Sequence, residues 1–172
     1  QREKSIDRVI REIRFAIEKY GIEFLKFWDE TFLLMGKERM EEFCDKYSTE
    51  IGLPYVMETT AESITDFSAK VLQKTNCKSA SIGMETGDPD MRTGLLHKPT
   101  GNQVYEEAFR LLGQYGIQKV SFNMIGLPNE SQGDIFRTIG MNRLVGTFTH
   151  SVGIFYPYKG VPIREMMERQ GL

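Results

Sequence analysis

Residues Ile6, Val9, Ile10, Ile13, Ile17 and Tyr20 recur three and four positions apart, which lays one apolar stripe along a helix starting near Ser5. Gly21 ends it. The next segment, Ile22 to Trp28, is short, aromatic and β-branched, the make-up of a half-buried or buried strand. The same order then repeats. Met40, Phe43, Cys44 and Tyr47 mark a second helix, Pro54 to Thr59 a strand, and Ile64, Phe67, Val71 and Leu72 a third helix. Lys78 to Met84 is the following strand. Thr100 and Gln103 read as a capping box for a helix that carries Val104, Ala108, Leu111, Leu112 and Tyr115 and ends at Gly116. Ile117 to Ile125 is a strand, and Ser131 with Asp134 forms a second box, opening a helix to about Leu144. Thr147 to Phe155 makes the last strand and Ile163 to Gln170 the last helix.

Five strands thus alternate with six helices, as α/β proteins with a parallel sheet do. The helix ends at Gly21, Gly52, Asn76, Gly116, Gly146 and Gly171 fall about 30 residues apart on average, the unit length of an eight-unit barrel of about 250 residues. The expected fold is a partial (β/α) barrel, with a doubly wound sheet as the other arrangement of the same alternation. No linker or low-complexity tract interrupts the chain, so residues 1–172 read as a single domain.

Of the 172 residues 40% are hydrophobic, enough for a sizeable core. Twenty-two basic residues against 24 acidic ones leave a net charge of −2, with no electrostatic footprint for nucleic acid or an anionic membrane. The longest charge-free run, Leu144 to Tyr158, is broken by Gly, Thr, His and Pro and falls short of a membrane span. Cys44 and Cys77 stand far apart, without C-x-x-C spacing, which predicts two free thiols and a reducing, cytoplasmic setting. Gln1-Arg2-Glu3-Lys4 has neither an initiator Met nor a signal peptide, the expectation being a sequence cut from a longer one.

In parallel α/β folds the chemistry sits just beyond the carboxyl ends of the strands. Those places hold Trp28-Asp29-Glu30-Thr31-Phe32, Gly83-Met84-Glu85-Thr86-Gly87-Asp88, Asn123 to Glu130, and Phe155 to Gly160, so Asp29, Glu30 and Glu85 share one rim. His97 and His150 lack partners at metal-ligand spacing, and Met35, Met57, Met84, Met124, Met166 and Met167 read as core filling. No G-x-S-x-G, P-loop or G-x-G-x-x-G motif is present.

The order of these segments resembles the radical S-adenosylmethionine enzymes, particularly those whose longer chains carry a cobalamin-binding domain. Arg2-Glu3-Lys4-Ser5 is similar to the family's R-x-R-S entry, W-D-E-T-F to its D-D-x-F strand end, and G-M-E-T-G to its G-x-E-S-G. Lys98-Pro99-Thr100 resembles R-G-x-T, G-L-P-N-E-S resembles G-L-P-G-E-T, and Tyr156 to Pro162 resembles Y-P-Y-P-G-T-P, before the closing Gln170-Gly171-Leu172. The resemblance implies that Asp29, Glu30 and Glu85 accept from the amine and ribose hydroxyls of S-adenosylmethionine. It further implies that the strand around Asn123, Gly126 and Pro128 passes under adenine, that Lys98, standing for an Arg, meets the methionyl carboxylate, and that Tyr156 joins the same pocket. With it come a 4Fe-4S cluster in the full-length protein, an electron-donor protein, a small-molecule substrate and, in the named subgroup, cobalamin.

The family's C-x-x-x-C-x-x-C loop is not in this sequence, and Cys44 and Cys77 do not replace it. The expectation is therefore a barrel fragment that, joined to an upstream cluster loop, would cleave S-adenosylmethionine reductively and start radical chemistry such as methyl transfer. By itself it would be inactive. A cluster-free adenosyl-binding or scaffolding module is a second reading, and a barrel lyase with Lys98 or Lys119 as a Schiff-base amine a third. An uncovered edge at Phe24 to Trp28 is expected to make the isolated chain self-associate.

Overall fold

The computed structural model describes residues 4–29 and 32–171. Helix α1, Ile6–Tyr20, begins where the Ser5 hydroxyl accepts from the Arg8 amide at 3.3 Å and ends where Gly21 turns left-handed, φ +62°. Its stripe buries Ile6, Ile10 and Ile13. Strand β1 is Leu25–Phe27, shorter than the expected Ile22 to Trp28; then come α2 (Lys37–Glu50), β2 (Tyr55–Thr59), α3 (Asp66–Lys74) and β3 (Cys77–Glu85). The remainder runs α4 (Pro89–Gly94), α5 (Asn102–Gln114), β4 (Gln118–Ile125), α6 (Gln132–Val145), β5 (Thr149–Ile154) and α7 (Pro162–Gln170). Single 3-10 turns, Phe32–Leu34 and Ala61–Ser63, follow β1 and β2.

All strand pairs are parallel and the sheet order is β1-β2-β3-β4-β5. Sequential order leaves no point where the winding reverses, which rules out the doubly wound arrangement and makes the sheet an open portion of a β/α barrel. β1 is one edge and β5 the other, so the expected edge at β1 exists, and β5 forms a longer one with all six residues exposed.

Two expectations need correction. Among the described residues there are seven α-helices, not six: α4 is too short to show a period, and it forms because Asp88 caps the Met91 amide at 2.8 Å with Pro89 in the first turn. The Thr100–Gln103 capping box does not form. Helix α5 starts from Gly101 without a side-chain cap, and the Thr100 hydroxyl instead donates to Glu62. The Ser131–Asp134 box is present as read.

One layer of the core is aromatic. Phe27 packs at 4.9 to 6.3 Å, ring to ring, on Phe32, Phe43, Tyr47 and Tyr55. The two phenols are satisfied, Tyr47 by the Leu53 carbonyl at 2.8 Å and Tyr55 by the Thr75 hydroxyl at 2.7 Å. Cys44 and Cys77 are free and buried; burial pushes the Cys77 thiol up to about 12, so it remains protonated packing. Met57 and Met84 are fully buried, while Met35, Met124, Met166 and Met167 are half-buried.

Candidate functional site

Strand alternation decides which side chains reach the barrel interior. In β2 and β3, Tyr55, Met57, Thr59, Ala80, Ile82 and Met84 are buried toward the helices, so Glu58, Ser81, Gly83 and Glu85 face the interior, half-buried. On the same face of β1, Lys26 pairs with Glu58 at 2.8 Å and lies 3.5 Å from the Trp28 ring centroid.

The carboxyl end of β3 departs from regular strand. Its pairing with β4 slips between Gly83 and Glu85, and Glu85 has φ +66°. The Thr86 amide donates to the Met84 carbonyl at 2.8 Å, closing a γ-turn of the rare positive-φ kind with Glu85 at its apex. Such a conformation costs a side-chain-bearing residue on the order of 1–3 kcal/mol and persists only where its surroundings dictate it. Lys98 Nζ sits 2.5 Å from the Gly83 carbonyl and 3.3 Å from Glu85 Oε1. A Cβ on Gly83 would displace the Glu85 carboxylate and lie 3.2 Å from Lys98 Nζ.

Three side chains hold this loop from behind. Arg92, 0% exposed, donates to the carbonyls of Met84, Thr86 and Thr100 and to Asn102 Oδ1, and its guanidinium lies 4.6 Å from the Tyr105 ring centroid. The Tyr105 hydroxyl reaches the Gly83 carbonyl at 3.2 Å. Thr138 of α6 accepts from the Gly87 amide at 2.8 Å, and a Cβ on Gly87 would come within 2.5 Å of the Arg137 carbonyl. Glu62, beyond β2, feels a burial penalty that raises its pKa, but hydrogen bonds from Thr100, its own backbone and Thr60, with nearby Lys98, lower it overall.

Beyond β4, Gly126 takes φ +79°, and its amide and that of Leu127 donate to Glu130 Oε2 at 2.6 and 3.3 Å. Glu130 Oε1 is buried without a hydrogen-bond partner among the described residues. Pro128 is buried and shares a small cavity with Asp88, Met91 and Leu95, so this turn abuts the loop carrying Glu85.

Of the residues singled out from sequence, the structure brings Glu85 and Lys98 into contact and sets Pro128 across a small cavity from Asp88 and Met91, at the end of the loop that carries Glu85. The Asn123 side chain points the other way, to α6: it donates to Ser121 Oγ and accepts from Asn142 Nδ2, each at 3.0 Å. What β4 turns to the interior is Phe122 and Met124, with backbone. Asp29 is exposed beyond β1, Tyr156 is exposed on the β5–α7 loop, and Glu30 lies outside the described residues. Lys119 donates to the Val145 carbonyl on the α6 side and Lys98 is tied to Glu85, so neither amine named for a Schiff base is free. Sequence reading passed over Arg92, Glu62 and Thr138. Arg92 alone had a legible signal: a cation four residues beyond the Asp-Pro helix start, in the turn following the strand-end glutamate.

An orphaned carboxylate oxygen, an ion-paired Glu–Lys couple and bare glycine backbone at one rim suit a zwitterionic, hydroxylated ligand such as S-adenosylmethionine. An iron–sulfur cluster is not matched: among the described residues no three His, Cys, Asp or Glu side chains group to hold a metal, and both thiols are buried. No helix among the described residues is long and apolar enough to cross a membrane.

Comparison with known proteins bears on the fold and the family. The chain is 22% identical over 161 residues to an uncharacterized methyltransferase of Pyrococcus horikoshii, covering 94% of this chain and 35% of that protein. It superposes on the radical S-adenosylmethionine methyltransferase TsrM from Kitasatospora setae, solved with cobalamin and a [4Fe-4S] cluster bound, with a TM-score of 0.83 at 15% identity, over 99% of this chain and 32% of that one. The cobalamin-dependent S-adenosylmethionine radical enzyme OxsB gives a TM-score of 0.69 at 15% identity over 81% of this chain and 22% of that one. The chain therefore spans 22 to 35% of the length of these relatives. The sequence model of the radical SAM superfamily matches residues 1–141, and by that match over most of its length the chain belongs to the radical SAM superfamily.

Proposed function

We propose that this chain forms the S-adenosylmethionine-holding part of a radical enzyme that modifies a small-molecule substrate, with methyl transfer as the reaction class. The observation that carries the reading is the Glu85–Lys98 couple on the γ-turn at the carboxyl end of β3. When bound, the cofactor supplies an adenosyl group and an activated methyl on a sulfonium centre. Glu85 accepts from its hydroxyls or ammonium, and Lys98 offers a point charge to its carboxylate. Phe122 and Met124 give adenine an apolar wall, and the left-handed Gly126 lets the backbone approach it. In this reading Asp29, Glu30 and Tyr156 contribute from neighbouring loops, and Asn123 fixes the strand from its far side. The cluster thiolates come from outside the described residues, an electron-donor protein reduces the cluster, and cobalamin use follows the likeness to TsrM and OxsB. The two buried free thiols favour a reducing, cytoplasmic setting.

The test is anaerobic reconstitution of the full-length protein with iron and sulfide, read by absorption and electron paramagnetic resonance with and without S-adenosylmethionine. A cluster signal that shifts on adding the cofactor is expected, with about tenfold or greater loss of cofactor affinity in Glu85→Gln, the size of one charge-assisted hydrogen bond. Absence of metal-ligand grouping among the described residues favours, as a second reading, a cluster-free adenosyl-binding module. Cofactor binding with no cluster signal would decide for that module.

A further inference from the structure

We infer that Arg92 is a positioning residue for the cofactor site: it holds the γ-turn that aims Glu85 into the barrel. The inference rests on the proposed role of Glu85 and deepens it. The carbonyls of the residues on both sides of Glu85, Met84 and Thr86, are turned toward one guanidinium. Arg92 Nε lies 3.2 Å from the Met84 carbonyl and 3.2 Å from that of Thr86, and Nη2 approaches Thr86 again at 2.5 Å. Nη1 is 2.5 Å from the Thr100 carbonyl and Nη2 is 2.8 Å from Asn102 Oδ1, so the same group ties the turn to the start of α5, four residues beyond Lys98.

A guanidinium buried at 0% exposure is expensive to desolvate, and burial lowers its pKa, with Tyr105, Asp88 and Glu85 acting against that. Among the described residues it makes no carboxylate ion pair; its hydrogen-bond partners are carbonyl and amide oxygens. A methionine would fill the same volume without that penalty. What only the planar fork supplies is simultaneous donation to three carbonyls in the orientation the positive-φ turn needs. Its charge is left to act on Glu85 across the turn.

The experiment is a double-mutant cycle on the full-length protein, with radiolabelled S-adenosylmethionine in equilibrium dialysis without reductant. Arg92→Gln is expected to weaken binding about tenfold or more, comparably to Glu85→Gln, and Arg92→Lys to give no rescue. In the Glu85→Gln background the further loss should be under about twofold, because a misaimed carboxylate already absent cannot be lost again. Wild-type affinity in Arg92→Gln, or losses that multiply in the double variant, would overturn the assignment. Should Arg92→Gln fail to fold, Asn102→Ala removes one acceptor while leaving the guanidinium, and the same cycle with Glu85→Gln decides. Wild-type protein that does not bind the cofactor overturns both this inference and the reading of Glu85; binding that Glu85→Gln weakens and Arg92→Gln leaves intact overturns this one alone.

Discussion

Strands β3 and β5 belong to one sheet, two places apart, and are built on opposite terms. In β3, Ala80, Ile82 and Met84 are fully buried, and the loop beyond it is pinned by Arg92, Thr138 and Asn102. In β5 all six residues are exposed, the following helix α7 buries none, and Tyr156 and Tyr158 stand on the next loop 67% and 70% exposed. A strand packed under helices gives its rim loop a fixed aim; an uncovered strand cannot. The preorganised half of the candidate site is therefore the β3 half, as function carried on rigid elements requires.

The comparison breaks most sharply in stability. Phe43 lies at 1% exposure among Phe27, Phe32 and Tyr47, and Phe43→Ala should lower unfolding free energy by about 3–5 kcal/mol. Ile154→Ala, at an 81% exposed position on β5, should fall within about 0.5 kcal/mol. Urea unfolding of the two variants reads both values, and a large loss at Ile154 would mean that β5 is covered in solution. Next in size is a pair of glycines. A methyl at Gly87 meets α6 backbone, Arg137 O at 2.5 Å and Thr138 Cα at 2.7 Å, so Gly87→Ala should destabilise by about 3 kcal/mol. Gly153 on β5 has nothing nearer than Asn123 O at 4.0 Å, and Gly153→Ala should change little.

The same contrast governs what the sequence let one read. Helix α1 was legible because its stripe, its Ser5 cap and its Gly21 stop are all local, and the five strands followed from their order between helices. At the rim, Glu85 was legible as a carboxylate at a strand end. Its γ-turn was not, because a positive φ on a glutamate is imposed by Arg92 seven residues on, and no local propensity announces it. The direction of the Asn123 side chain was hidden for a related reason: it is claimed by Asn142 of α6, a partner that only the packing supplies. Trp28 illustrates the converse, an aromatic that ends a strand yet remains 78% exposed beneath the Lys26 ammonium.

The smallest expected effects compare two helix starts that look alike in sequence. At α6 the Ser131 hydroxyl accepts from the Asp134 amide at 3.3 Å while Asp134 Oδ2 takes the Ser131 amide at 2.7 Å. At α5 the side chain that should cap is turned to Glu62. Ser131→Ala should cost about 1 kcal/mol and Gln103→Ala a few tenths at most, measured in urea at neutral pH. Acid separates them further. Hydrogen bonds from the Ser131 side chain and backbone, then Arg137, hold Asp134 below the ordinary aspartate range. A carboxyl lowered on folding contributes stability that is complete above its unfolded pKa, about 3.9, and is lost as pH falls through the lower folded value. Asp134→Asn should therefore flatten the decline of stability below about pH 4, and Gln103→Ala should leave it as steep as in the wild type. An unchanged slope in Asp134→Asn would mean that the box at α6 does not depend on the carboxylate charge, and the difference between the two helix starts would then be one of shape alone.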